Sequence, residues 1–181
     1  STENAPMITK DMSAYAHGGP SAIQQMDDDT TIFYTWQMVE NAVVQLANKI
    51  KLEYKNPASE FKAIYAIPNG GLIPARLLAR ELDFYNSKAH HEESILTKLP
   101  GRNIRPIIVV DDIVDTGRTY DQISNKLTDT CVYGALIQRK QLPVTNNLYY
   151  GDTLNGDKRW VRFPWEKINE KRRKDYDKII A

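Results

Sequence analysis

The chain has 181 residues, 41% of them hydrophobic and 26% charged, with a formal net charge of +1. That balance suits one soluble globular domain with a real core, and it supplies no global attraction to nucleic acid or to membranes. No apolar run approaches the roughly 20 residues of a bilayer-crossing helix, and no basic start followed by an apolar run marks a signal peptide, so the cytoplasm is the expected compartment.

In chain order, residues 1–30 are polar, contain Gly18-Gly19-Pro20 and end in Asp27-Asp28-Asp29, as a solvated N-terminal extension would. "TWQMVENAVVQLANKIKLEY" predicts a helix with Thr35 as its N-cap and Val39, Val43, Leu46 and Ile50 on its buried face. "KAIYAI" predicts a short buried strand, "PNGG" a turn, and "LIPARLLAREL" a helix with Pro74 in its first turn. "PIIVV" is the next strand, with the β-branched residues Ile107 to Val110 buried on both faces. The turn "DDIVDTGRT" leads into the helix "YDQISNKL", and "CVYGALI" is another strand. Cys131, the single cysteine, has no partner in the chain for a disulfide and reads as a buried structural thiol. The last stretch, residues 168–181, predicts a helix with a charged face around Lys171 to Lys174.

Strand, turn and helix in repetition predict an α/β protein whose mainly parallel sheet is flanked by helices. Ligands of such sheets bind beyond the carboxyl ends of the strands, where both "PNGG" and "DDIVDTGRT" fall. Asp111 and Asp112 end a buried strand and Asp115 follows closely. Carboxylates so close repel one another, so a cation or a hydroxyl-rich ligand is expected there. The two aspartates suit the hydroxyls of a ribose or a magnesium ion. Thr116, Gly117, Arg118 and Thr119 open a helix, whose unpaired N–H groups suit a phosphate. A plain acidic loop with a threonine N-cap is the bland alternative, and this ordered pattern argues against it.

"VVDDIVDTGRT" resembles the signature with which type I phosphoribosyltransferases bind 5-phosphoribosyl pyrophosphate (PRPP): apolar strand, two acids, two variable residues, Asp-Thr-Gly-x-Thr. "YAIPNGGLIPARLLAREL" resembles the family's pyrophosphate-loop segment, and "LIQRK" followed by "DKRWVRFPWE" resembles the purine-binding part of bacterial xanthine-guanine phosphoribosyltransferases. The resemblance spans about residues 33 to 166 and implies a phosphoribosyltransferase domain over 31–167, with a small hood and N- and C-terminal extensions. It implies a magnesium-dependent purine salvage enzyme that joins a 6-oxopurine to PRPP, in a homo-oligomer (dimer or tetramer); the near-neutral charge and the lack of a long apolar run argue against nucleic-acid and membrane partners. It further implies that Asp111 and Asp112 bind the ribose hydroxyls and Mg2+, and that Thr116 to Thr119 cradle the 5′-phosphate. Asn69, Gly70 and Gly71 would form the pyrophosphate loop. Asp115 would sit near purine N7 as acceptor of its proton, Lys140 would donate to the 6-oxo group, Trp160 would stack on the base and Val161 would read purine C2 through its carbonyl. An ammonium donates to an oxo group and cannot accept from a 6-amino group, which disfavours adenine.

Three departures from the family pattern stand out. Asn69 occupies a slot that is usually basic. Only the 29 residues from Leu82 to Val110 separate the loop's helix from Asp111, too few for the long mobile hood of relatives. They must still include a strand, and Lys98, Arg102 or Arg105 could replace the hood's basic contacts, whereas His90 and His91 read as surface residues. Arg162 follows Val161 where relatives are acidic or neutral, close enough to bias the base pocket towards anionic xanthine. Glu166 is a further candidate for a second magnesium, with a surface acid as its plain reading. Two rivals remain: a PRPP- or nucleotide-binding regulator on the same fold with little catalysis, and a nucleic-acid binder using the basic C-terminal helix, which the near-neutral charge disfavours.

Overall fold

Four consecutive β-branched residues can bury both faces of a strand, and the strand they form here organises the fold. The computed structural model describes residues 30–86, 94–101, 106–127, 130–139 and 147–166. In it β4 runs from Ile107 to Val114, and Ile107 to Val110 are at most 1% exposed. It lies between β2 (Ala63–Ala66) and β5 (Val132–Gln138) in a five-stranded sheet. β3 (Ile95–Leu96) and β6 (Leu148–Thr153) complete the order β3-β2-β4-β5-β6, and every pairing is parallel. The strand expected between Leu82 and Val110 is therefore present as β3. β4 is longer than "PIIVV" alone predicts: Asp111 to Val114, expected to begin the turn, continue the strand, with Asp111, Ile113 and Val114 in register with β5.

The helices follow their sequence signals. α1 spans Trp36–Glu53, and the Met38 N–H donates to Thr35 Oγ1 at 3.1 Å, the side-chain cap expected of a threonine there. Val39, Val43, Leu46 and Ile50 are fully buried. α2 (Pro57–Glu60), a single turn opened by proline, escapes any periodicity argument because it is too short to show one. α3 spans Leu72–Glu81 with Pro74 buried in its first turn. α4 spans Arg118–Ser124, starting two residues earlier than "YDQISNKL" suggests.

Alternation along the strands sends successive side chains to opposite faces of the sheet. Tyr65, Val109, Tyr133 and Ala135 share one face with Tyr120 and Leu127, against which Ile123 of α4 packs. On the other face Gly134 lies under Leu46 of α1, with room for a Cβ no nearer than 3.3 Å to that side chain. Helices thus cover both faces. Cys131 is buried, as expected of a structural thiol.

Two compact units divide the chain: residues 39–157, which hold the five-stranded sheet, and residues 1–38 with 158–181. In the second unit β1 (Thr31–Phe33) pairs in parallel with β7 (Trp160–Arg162), two three-residue strands that the sequence reading does not contain. Phe163 stacks on Trp165 there, with centroids 4.7 Å apart and planes 3° from parallel. No helix among the described residues is long and apolar enough to cross a membrane. The N-terminal extension up to residue 29 and the expected helix at 168–181 lie outside the described residues.

Gly151 in β6 fixes how closely α1 approaches the sheet, because a Cβ there would meet the Ala42 carbonyl oxygen and lie 2.9 Å from Leu136 O. Both neighbours are backbone and cannot rotate away. Gly151→Ala is expected to lower unfolding free energy by about 2 kcal/mol or more, measured from the denaturant midpoint; an unchanged midpoint would mean that α1 can move off the sheet.

Candidate active site

The carboxyl edge of the sheet gathers most of the residues singled out by the sequence. Asp111 and Asp112 are consecutive in β4, so strand alternation turns them to opposite faces. Asp111 shares the face of Tyr133, whose hydroxyl donates to Asp111 Oδ2 at 3.0 Å; the Asp112 N–H donates to Asp111 Oδ1 at 2.8 Å. Only 8% of Asp111 is exposed. Burial, reinforced by the charge of Asp112, pushes its carboxyl up to about 7. Burial and the adjoining Asp111 push the Tyr133 phenol upward too, which keeps it protonated and a donor. The same ring meets Tyr120 of α4 edge-on, with centroids 5.0 Å apart at 80°, and the Tyr120 hydroxyl donates to Asn147 Oδ1 at 2.8 Å.

Asp112 turns to the other face and meets the loop after β2. A Cβ on Gly70 would lie against Asp112 Oδ2 and 2.6 Å from its Cγ, so only glycine lets loop and carboxylate come this close. The loop is pinned by the Ile67 N–H, which donates to Val110 O at 2.9 Å, and by the Gly71 N–H, which donates to Ile67 O at 2.8 Å. Asn69, Gly70 and Gly71 are thereby brought beside Asp112. The peptide bond from Pro68 to Asn69 in this loop is cis.

After β4 the chain turns through Asp115 and Thr116 to Gly117, whose φ of 88° is in the left-handed region that favours glycine. The Arg118 N–H donates to Thr116 Oγ1 at 3.3 Å, and α4 begins. Arg118 and Thr119 are exposed in its first turn. Asp115 is half-exposed and forms an ion pair with Arg139, Nε to Oδ1 at 3.0 Å. Arg139 is not among the residues drawn from sequence, although it stands in the quoted "LIQRK"; only the pairing of β4 with β5 reveals that its position falls beside Asp115.

The base-binding candidates divide. Lys140 lies outside the described residues, as do Arg102, Arg105, His90 and His91; Lys98 is described and exposed. Trp160 and Val161 belong to the unit containing β7. Trp160 is 62% exposed and so is not a core tryptophan, whereas Val161 is buried. Glu166 accepts from the Phe163 N–H at 3.1 Å and faces Arg162 at 3.5 Å. It thus closes the turn after β7, and both its oxygens have protein partners.

Among the described residues no group of three or more His, Cys, Asp or Glu could cage a metal. Two adjacent hard-oxygen carboxylates still fit Mg2+, which usually takes one or two protein carboxylates and completes its shell with water and phosphate oxygens. The raised Asp111 carboxyl has a sign that can be tested. Between the ordinary 3.8 and about 7 the folded chain holds a proton that the unfolded chain has lost. Stability of the ligand-free protein should therefore fall as pH rises through that window, by on the order of a few kcal/mol, and Asp111→Asn should flatten the dependence. Denaturant midpoints at about pH 5 and about pH 8 measure it; a wild-type midpoint that rises with pH would contradict the buried, protonated carboxyl.

No protein-family model matches the chain. Solved structures do resemble it. A purine phosphoribosyltransferase from Pyrococcus horikoshii Ot3 is 23% identical with a TM-score of 0.54, over 78% of this chain and 97% of that one. The Helicobacter pylori xanthine-guanine-hypoxanthine phosphoribosyltransferase is 16% identical with a TM-score of 0.53, over 75% and 93%. A hypothetical protein from Neisseria gonorrhoeae with bound ppGpp is 18% identical with a TM-score of 0.56, over 85% and 97%. With its five parallel strands, helices on both faces and acidic strand end, this chain has the type I phosphoribosyltransferase fold.

Proposed function

We propose that this protein is a magnesium-dependent purine phosphoribosyltransferase that transfers the phosphoribosyl group of PRPP to a 6-oxopurine (xanthine, guanine or hypoxanthine). The observation that carries this reading is the contact of the Gly70 loop with Asp112 at the strand edge that also ends in the Asp-Thr-Gly-x-Thr turn. A pyrophosphate-binding loop, a ribose-binding carboxylate pair and a phosphate-binding turn are three parts of one substrate.

In the reading proposed, amides of Asn69, Gly70 and Gly71 receive the pyrophosphate, Asp111 and Asp112 the ribose hydroxyls, and the turn from Thr116 to Thr119 the 5′-phosphate. Mg2+ held by Asp111 and Asp112, partly through hydroxyls and water, would neutralise charge on the departing pyrophosphate. The bond from C1′ to the pyrophosphate oxygen breaks as purine N9 bonds to C1′, and the N7 proton passes to Asp115. Lys140 donates to the 6-oxo group, and exposed Trp160 offers a flat ring to the base. Glu166, occupied by Phe163 and Arg162, is not assigned a metal.

A second reading, a nucleotide-binding regulator of the same fold, is favoured by Asn69, which leaves the loop without the usual positive charge. One assay separates them: pyrophosphate release with PRPP and Mg2+, offering guanine, xanthine, hypoxanthine and adenine separately. Release with a 6-oxopurine and not with adenine is expected; no release with any base, alongside calorimetric binding of PRPP or a nucleotide, would establish the regulator. Asp115→Asn should slow turnover about a hundredfold or more with PRPP affinity retained, and equal loss of both would remove Asp115 from the proton transfer. Gly70→Ala, which forces Asp112 aside, should weaken PRPP binding about tenfold or more, and calorimetric titration that finds unchanged affinity would place the pyrophosphate elsewhere.

A further inference from the structure

Resting on that reading, we infer that Arg139 is a positioning residue that aims the Asp115 carboxylate at the purine. Arg139 leaves β5 with its N–H donating to Val114 O at 2.9 Å, one step beyond the last paired residues of β4 and β5. Its Nε then reaches Asp115 Oδ1 at 3.0 Å, and its NH1 donates to Asp157 O at 2.7 Å. The guanidinium is thus tied to backbone on one side and to the carboxylate on the other. Its side chain is 14% exposed against 53% for Asp115.

The unequal exposure decides what the pair is for. An ion pair whose acid stands half in water adds little to stability, because solvent screens it and water competes for the carboxylate. A planar guanidinium with two fixed partners does something that water cannot: it holds one carboxylate oxygen in a set direction. With Oδ1 held, the second oxygen of Asp115 has a defined position from which to accept a purine N7–H. Lysine has one nitrogen and cannot reproduce the fork. The sequence position fits the task, since Asp115 begins a loop and has no strand pairing of its own to orient it.

The test compares two nucleotides that differ at N7. The five-membered ring of 9-deazainosine 5′-phosphate carries a proton on N7, whereas inosine 5′-phosphate carries none there. Calorimetry on the full chain should show wild type preferring the N7–H compound. Arg139→Gln should cut that preference about tenfold while affinity for ribose 5-phosphate stays within about twofold. Arg139→Lys should fall between, and in an Asp115→Asn background Arg139→Gln should change the preference no further. In pyrophosphate release, Arg139→Gln should lower kcat and leave KM for PRPP in place. The inference is overturned if Arg139→Gln keeps the preference, if the two substitutions act multiplicatively, or if wild type shows no N7–H preference. Should Arg139→Gln not fold, an Arg139→Lys protein with undiminished preference overturns it equally. The N7–H preference with its loss in the variants, but without wild-type pyrophosphate release, would uphold Arg139 and sink the transferase reading.

Discussion

Two carboxylates on consecutive residues at the end of a buried strand are the constraint around which this molecule is arranged. The strand's two-residue period separates them, so each meets a different surrounding. Asp111 turns towards Tyr133 and is desolvated, which makes its neutral form the comfortable one without a ligand. Asp112 turns towards the Gly70 loop. A fold built for stability alone would place apolar residues here, as it does at the four preceding positions. Acids kept at this edge at a cost in stability are the pattern of a binding or catalytic site.

Close approach is the second theme, and it is achieved by removing side chains. Gly70 admits Asp112, Gly151 admits the α1 backbone, and Gly117 supplies the left-handed turn that starts α4. These are separate uses of one residue type: one serves the site, one the packing and one the direction of the chain. The loop after β2 also contains Gly71, where a Cβ would meet Val110 O and Ile67. That glycine seats the loop against the sheet backbone, while a Cβ on Gly70 would meet Asp112.

Much of this was legible before any coordinates. Short apolar runs announced β2, β4 and β5, helical spacing announced α1, and Thr35 announced its own cap, because each of these signals is local. The misses have local reasons as well. Acidic residues favour turns, so the strand character of Asp111 and Asp112 becomes visible only when pairing with β5 overrides their preference. β1 and β7 hold three residues each, too few for any periodicity, and they are joined by partners far apart in sequence. Arg139 was written in the sequence but could not be matched to Asp115 without knowing which strands are neighbours.

The tyrosine pair behind the acidic edge has a consequence for the spacing of any ligand. Tyr133 grips Asp111 through its hydroxyl and meets Tyr120 edge-on, while Tyr120 belongs to the first turns of α4 and is anchored at Asn147. The strand end and the helix start are therefore joined by two rings as well as by the short connecting loop. Such rings neither stretch nor fold, so they serve as a ruler between the acids and the Thr116–Thr119 turn. A ligand reaching from one to the other must match a length set by aromatic packing.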